Sequence, residues 1–174
     1  YKWNYINFNR IMKNKILLNF LLLPFFIFSQ QVSFTEFDLE NGLHVIMHQD
    51  NSAPVVITSV MYDVGGKDRA EGRTGFAHFF EHLLFEGSEN IGRGEFMKII
   101  PANGGTFNAY TSNDETYYYE IFPSNKLELG LWMESERMLH PVIDEVGVET
   151  QNEVVKEEKR QRKNGSCRKS SEVY

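Results

Sequence analysis

The sequence predicts an α+β fold: a mixed, mainly antiparallel sheet packed against helices. Three observations carry that expectation. Apolar and polar residues alternate in two hairpin-like stretches, residues 33–49 and 106–122. The apolar pattern changes to helical spacing at residues 76–85 and again from Leu127 onward. Strands come first and helices then interleave with the second hairpin, an order that suits a layer of strands covered by helices.

The elements follow in order. Residues 33–40 (Ser-Phe-Thr-Glu-Phe-Asp-Leu-Glu) have the period of two of a half-buried strand. Asn41-Gly42 predicts a two-residue hairpin turn, with residues 43–49 as the return strand. Residues 55–64 are more continuously apolar and predict a strand at the centre of the sheet. Residues 76–85 are rich in Phe and Leu and lack β-branched residues, which predicts a buried helix ended by Gly87. A second helix is expected over 94–102, with Pro101 ending or kinking it. Residues 106–112 and 116–122 form a hairpin around Asn113-Asp114. Leu127, Leu131 and Met138 mark a helix over 127–139 that Pro141 stops, and a charged helix follows over 144–163. No internal repeat is visible.

Composition narrows the function classes. The chain has 174 residues, enough for about one domain, and is 41% hydrophobic and 24% charged, as folded proteins are. All 24 acidic residues but only 14 of the 18 basic ones lie after position 30. An acidic body without a basic stripe is a poor nucleic-acid binder, because phosphate neutralisation supplies most of that affinity. The single Cys167 permits neither an internal disulfide nor a cysteine-based zinc site.

Residues 12–30 place Lys13 and Lys15 before a thirteen-residue apolar run, 16–28, and return to polarity at Ser29-Gln30. That order predicts a secretory signal peptide. The run is shorter than the ~20 residues of a membrane span, so no stable span is expected. Export would place the mature chain in the periplasm, outside the cell, or in association with the envelope. Residues 1–11 precede the first methionine and have no targeting logic. The body then runs over 31–163, and residues 164–174 read as a divergent tail.

Chemistry concentrates in His78-Phe79-Phe80-Glu81-His82. On a helix, residues four apart share a face, so His78 and His82 can hold one Zn²⁺ at about 2.0–2.1 Å. Glu81 lies about 80° from the midpoint between them, close to a water on the metal. HxxEH is the inverted form of the better-known HExxH zinc signature. Burying two histidines and a glutamate among phenylalanines and leucines without a metal or partners would cost several kcal/mol. A catalytic zinc needs a third protein ligand. The last helix offers Glu149, Glu153, Glu157 and Glu158. Taking Val154-Val155 as its inward face, Glu158 continues the apolar stripe whereas Glu157 lies about 110° off it.

The chain resembles the M16 metallopeptidases, the family of pitrilysin, insulin-degrading enzyme and the mitochondrial processing peptidase. The resemblance rests on His78 to His82 followed by Leu83-Leu84-Phe85-Glu86-Gly87. It continues through Asn103-Gly104-Gly105-Thr106-Phe107-Asn108-Ala109-Tyr110-Thr111-Ser112 and Thr116-Tyr117-Tyr118-Tyr119 to Glu153-Val154-Val155-Lys156-Glu157-Glu158. It spans about 34–162 and is strongest to the smaller bacterial members.

The resemblance implies a zinc metalloendopeptidase hydrolysing peptides or small unfolded proteins by Glu81-assisted attack of zinc-bound water. His78, His82 and Glu158 would be the ligands, and Asn108, Ala109, Tyr110 and Thr111 the edge strand that pairs with substrate. Many active members carry a glutamate seven residues before the glutamate ligand, where this chain has Gln151. The family's homologous second half is absent from the sequence, so the chain reads as truncated, and that half or a partner subunit is the expected partner. The competing reading is a non-catalytic structural or binding subunit. Such proteins usually lose a ligand or the base, and all four residues are present here.

Overall fold

A computed structural model of the chain describes residues 32–69, 71–72 and 74–164. The upstream residues, the signal-like segment and the tail from 165 onward lie outside the described residues. Two units are distinguished, divided at Asp50.

The first unit holds β1 (Thr35–Asp38) and β2 (His44–Met47), an antiparallel pair with Asp38 opposite His44. The turn differs from the expected two-residue form. Leu39 and Leu43 are hydrogen-bonded, Gly42 N–H donates to Leu39, and Gly42 takes a φ of +86°. This is a three-residue loop whose last residue needs the left-handed conformation that glycine adopts freely. The expected half-burial is not found: Phe34, Phe37, Ile46 and Met47 are all exposed. Alternation here marks strands but not a covered face.

The second unit contains β3 (Val55–Tyr62), α1 (Phe76–Leu83), α2 (Phe96–Ala102), β4 (Thr106–Thr111), β5 (Thr116–Pro123), α3 (Leu127–Leu139) and α4 (Glu145–Asn164). Its antiparallel sheet has the order β3-β5-β4. The central strand is therefore β5, and β3 is an edge, contrary to the expectation from its apolar run. The reason is visible in the faces. On β5, Thr116, Tyr118, Glu120 and Phe122 are all buried, whereas on β3 Val55, Ile57 and Met61 point to the exposed face.

Helices cover the inner face. α3 packs on β3 and β5, α1 on β4 and β5, and α2 on β4. Ile91, Phe96, Ile100, Phe122 and Met133 form the apolar core. Gly130 lets α3 sit directly on β3, since a Cβ there would meet Thr58 Oγ1 at 2.6 Å. α1 is shorter than predicted and only half-buried: Glu81 and Leu83 are buried but Phe76 is exposed. Pro101 sits in the last turn of α2, as expected of a helix-ending proline.

The face of α3 was not legible from its leucines. Leu127, Leu131 and Leu139 are exposed, while Gly130, Met133, Glu134, Glu136 and Arg137 are buried. Arg137 lies over the rings of Phe85, Phe96 and Tyr118, at 4.5–4.9 Å from their centroids. It donates to Glu120 at 2.8 Å and to Glu134 at 3.1 Å. Two carboxyl groups thus share one guanidinium in a core without water access.

Burial, and then the hydrogen bond with Glu120, push the Glu134 carboxyl up to about 8, against the pull of Arg137. The folded protein therefore holds a proton that the unfolded chain, with an ordinary value of 4.5, gives up. This contribution to stability is complete below about pH 4.5 and is lost as pH rises through about 8. Urea unfolding at pH 5 and pH 8 should show wild type weakening across that interval, and Glu134→Gln should flatten the trend. An unchanged slope in the variant would refute the assignment.

Candidate metal centre

α1 presents His78 and His82 one turn apart, with ring centroids 4.9 Å apart and planes at 84°. α4 packs against α1 and brings Glu158 to the pair. Glu158 Oε2 is 3.6 Å from His78 Nε2, and Oε1 is 3.6 Å from His82 Nε2. One ligand atom from each residue falls within 4.8 Å of the others, and this is the one such group among the described residues. Ligands at 2.0–2.1 Å in a tetrahedron stand about 3.3 Å apart, so the donor set fits a small tetrahedral cation. Burial lowers the His78 pKa, outweighing the opposite pull of Glu81, and this favours the neutral imidazole that a metal requires.

The inward stripe of α4 is not the expected Val154-Val155 pair. Val154 is exposed, whereas Gln151, Val155 and Glu158 are half-buried, a spacing of four and then three. Glu158 faces α1 as predicted and Glu157 is exposed. Glu81 is buried, and its Oε2 accepts a 2.6 Å hydrogen bond from Thr111 Oγ1. Glu81 therefore stands beside the donor set without belonging to it.

Asn108, Ala109, Tyr110 and Thr111 lie on β4, an edge of the sheet, as expected. They do not share one environment. Asn108 and Tyr110 are on the exposed face, where Tyr110 Oη donates to Glu115 at 2.8 Å. Thr111 points inward to Glu81.

A chain of polar contacts behind His82 was not anticipated as a unit. His82 Nδ1 lies 3.2 Å from Gln151 Oε1. Gln151 Nε2 donates to Glu86, which is buried and also receives Arg93. Arg93 in turn grips both oxygens of Asp144 at 2.7 and 2.8 Å. Asp144 Oδ1 accepts the Gly147 N–H at 2.8 Å, at the start of α4. The signal was available in part: positions 144, 151 and 158 recur every seven residues, two helical turns apart.

The profile of insulinase, peptidase family M16, matches residues 44–168, well over half of the chain. The chain belongs to family M16. Among curated relatives it is 36% identical over 129 residues to zinc protease PqqE of Helicobacter pylori, covering 74% of this chain and 29% of that protein. It is 32% identical over 111 residues to an insulin-degrading enzyme homologue of Dictyostelium discoideum, covering 63% of this chain and 12% of the relative. The crystal structure of a protease from Helicobacter pylori superposes with a TM-score of 0.73 at 33% identity, over 76% of this chain and 32% of that one. This M16 chain thus spans about a third or less of the length of these relatives.

Proposed function

We propose that this chain supplies the metal-binding part of a zinc metalloendopeptidase of the inverted HxxEH type, acting on peptides or small unfolded proteins. The observation that supports this reading best is the convergence of His78, His82 and Glu158 beside a glutamate that is not a ligand. In this reading His78 and His82 through Nε2, and Glu158 through its carboxylate, hold Zn²⁺. The ion supplies a Lewis acid that polarises water and the scissile carbonyl.

The remaining steps belong to protein groups. Thr111 fixes Glu81 by bonding Oε2, which leaves Oε1 to take a proton from the attacking water and return it to the leaving amine. An extended peptide adds beside β4, held mainly by main-chain hydrogen bonds. A homologous second half or partner subunit completes the chamber around it, since a positioned, water-excluded peptide is needed for efficient hydrolysis.

Glu158→Gln and Glu157→Gln test the ligand set. Zinc content should fall sharply in the first variant and stay near one ion per chain in the second. The reverse pattern would refute the assignment. Export is also part of the proposal, with the mature protein in the periplasm or outside the cell. N-terminal sequencing of the mature protein should find its first residue within 29–31, and an intact Lys13 segment in a membrane fraction would contradict it.

A further inference from the structure

We propose that Gln151 is a positioning residue that sets the tautomer of His82, and that Glu86, held by Arg93 and Asp144, aims Gln151. The inference rests on the reading of His82 as a metal ligand. It deepens that reading by assigning where the imidazole proton sits and why.

An amide side chain has a donating and an accepting end, and turning it over exchanges them. Glu86 is paired with the Arg93 guanidinium, so its carboxylate offers only acceptors. The Gln151 NH₂ must therefore face Glu86, and its carbonyl oxygen must face His82 Nδ1. A carbonyl oxygen cannot donate, so Nδ1 carries the hydrogen. The lone pair is then on Nε2, the atom 3.6 Å from Glu158. The direction of the amide is thus imposed from outside the site, by a buried carboxylate that has no contact with the donor atoms.

The same geometry explains why a neutral residue suits position 151. A glutamate there would still accept from His82 Nδ1, but its other oxygen would meet Glu86, acceptor against acceptor. Arg93 is already committed to Glu86 and to both oxygens of Asp144. The extra carboxyl would have to take up a proton or swing away. The favourable arrangement in this chain is one carboxylate and one amide, and the two could exchange places.

The test uses the full chain with ¹⁵N-labelled histidine, metal-free at about pH 8. Two-bond ¹⁵N–¹H correlations should show His82 with Nδ1 protonated. Gln151→Leu should abolish that preference and weaken zinc binding, measured by competition with a chromogenic chelator, by about 10- to 100-fold. Gln151→Glu should keep the tautomer but lower the melting temperature by roughly 4–8 °C. Adding Glu86→Gln to Gln151→Glu should restore the melting temperature, and this near-isosteric pair carries the test if Gln151→Leu does not fold.

An unchanged tautomer in Gln151→Leu, or a double variant no better than Gln151→Glu alone, would overturn the proposal. A wild-type chain that shows the Nδ1–H tautomer but takes up no zinc would support the proton assignment and refute the metal reading instead.

Discussion

Glu81→Gln should leave zinc bound and reduce peptide hydrolysis by about 10²- to 10⁴-fold, the range expected when a general base is removed. The substitution changes almost nothing else. Glutamine has the same shape, and its carbonyl oxygen can still accept the hydrogen bond that Thr111 Oγ1 gives to Oε2. The three candidate ligands are untouched, because Glu81 stands outside the donor group. In the metallopeptidase proposed above, the measurement is made on the chain joined to the proposed second half or partner, with zinc content and kcat followed together. Loss of kcat with a full complement of zinc is the expected result. Loss of both in parallel would make Glu81 structural.

Arg137→Met should destabilise the fold by about 3–5 kcal/mol, the cost of removing one partner from a buried ionic group. That is a large share of the roughly 5–15 kcal/mol that holds a domain together. The variant leaves Glu120 and Glu134 facing each other in the core without a cation, and it removes the planar group that lies against Phe85, Phe96 and Tyr118. Denaturant unfolding of Arg137→Met should show a strongly lowered midpoint or no folded baseline. Neutralising both acids as well, in Arg137→Met with Glu120→Gln and Glu134→Gln, should recover much of the loss. A triple variant as unstable as the single one would show that ring contact, rather than uncompensated charge, dominates.

These two residues differ in how readily the sequence reveals them. Glu81 sits in a local pattern: five residues on one helix define both the histidine spacing and the place of the glutamate. Helix α3 and the β4–β5 hairpin were legible for the same reason, since their periods and breakers act over a few residues. Arg137 was not. Its partner Glu120 lies in the strand Thr-Tyr-Tyr-Tyr-Glu-Ile-Phe-Pro, where alternation separates two faces but does not tell that the one carrying the glutamate is buried. The cation that meets it, Arg137, comes from another element, and no local pattern links the two. The leucines of α3 misdirected the reading because a charged face was buried in place of an apolar one. The order β3-β5-β4 was illegible for a further reason. Hydrophobicity reports burial of side chains, whereas strand order depends on which backbones pair. The inward placement of Glu158 was legible through periodicity even though the valine pair used to mark the stripe was half wrong. Val155 alone lies on it, and one correct residue was enough.

Histidines 78 and 82 and glutamate 158 also have a consequence for the chain as a polymer. Glu158 is 76 positions beyond His82, and β4, β5 and α3 all lie in the interval. A cation gripping both ends closes a loop of that length, for which the ideal-chain entropy is about 4 kcal/mol at room temperature. The folded chain has already met that cost, so the ion would bind it in strong preference to the unfolded chain. Chelation would remove this stabilisation, so the melting transition of this chain would track the free zinc concentration of its surroundings.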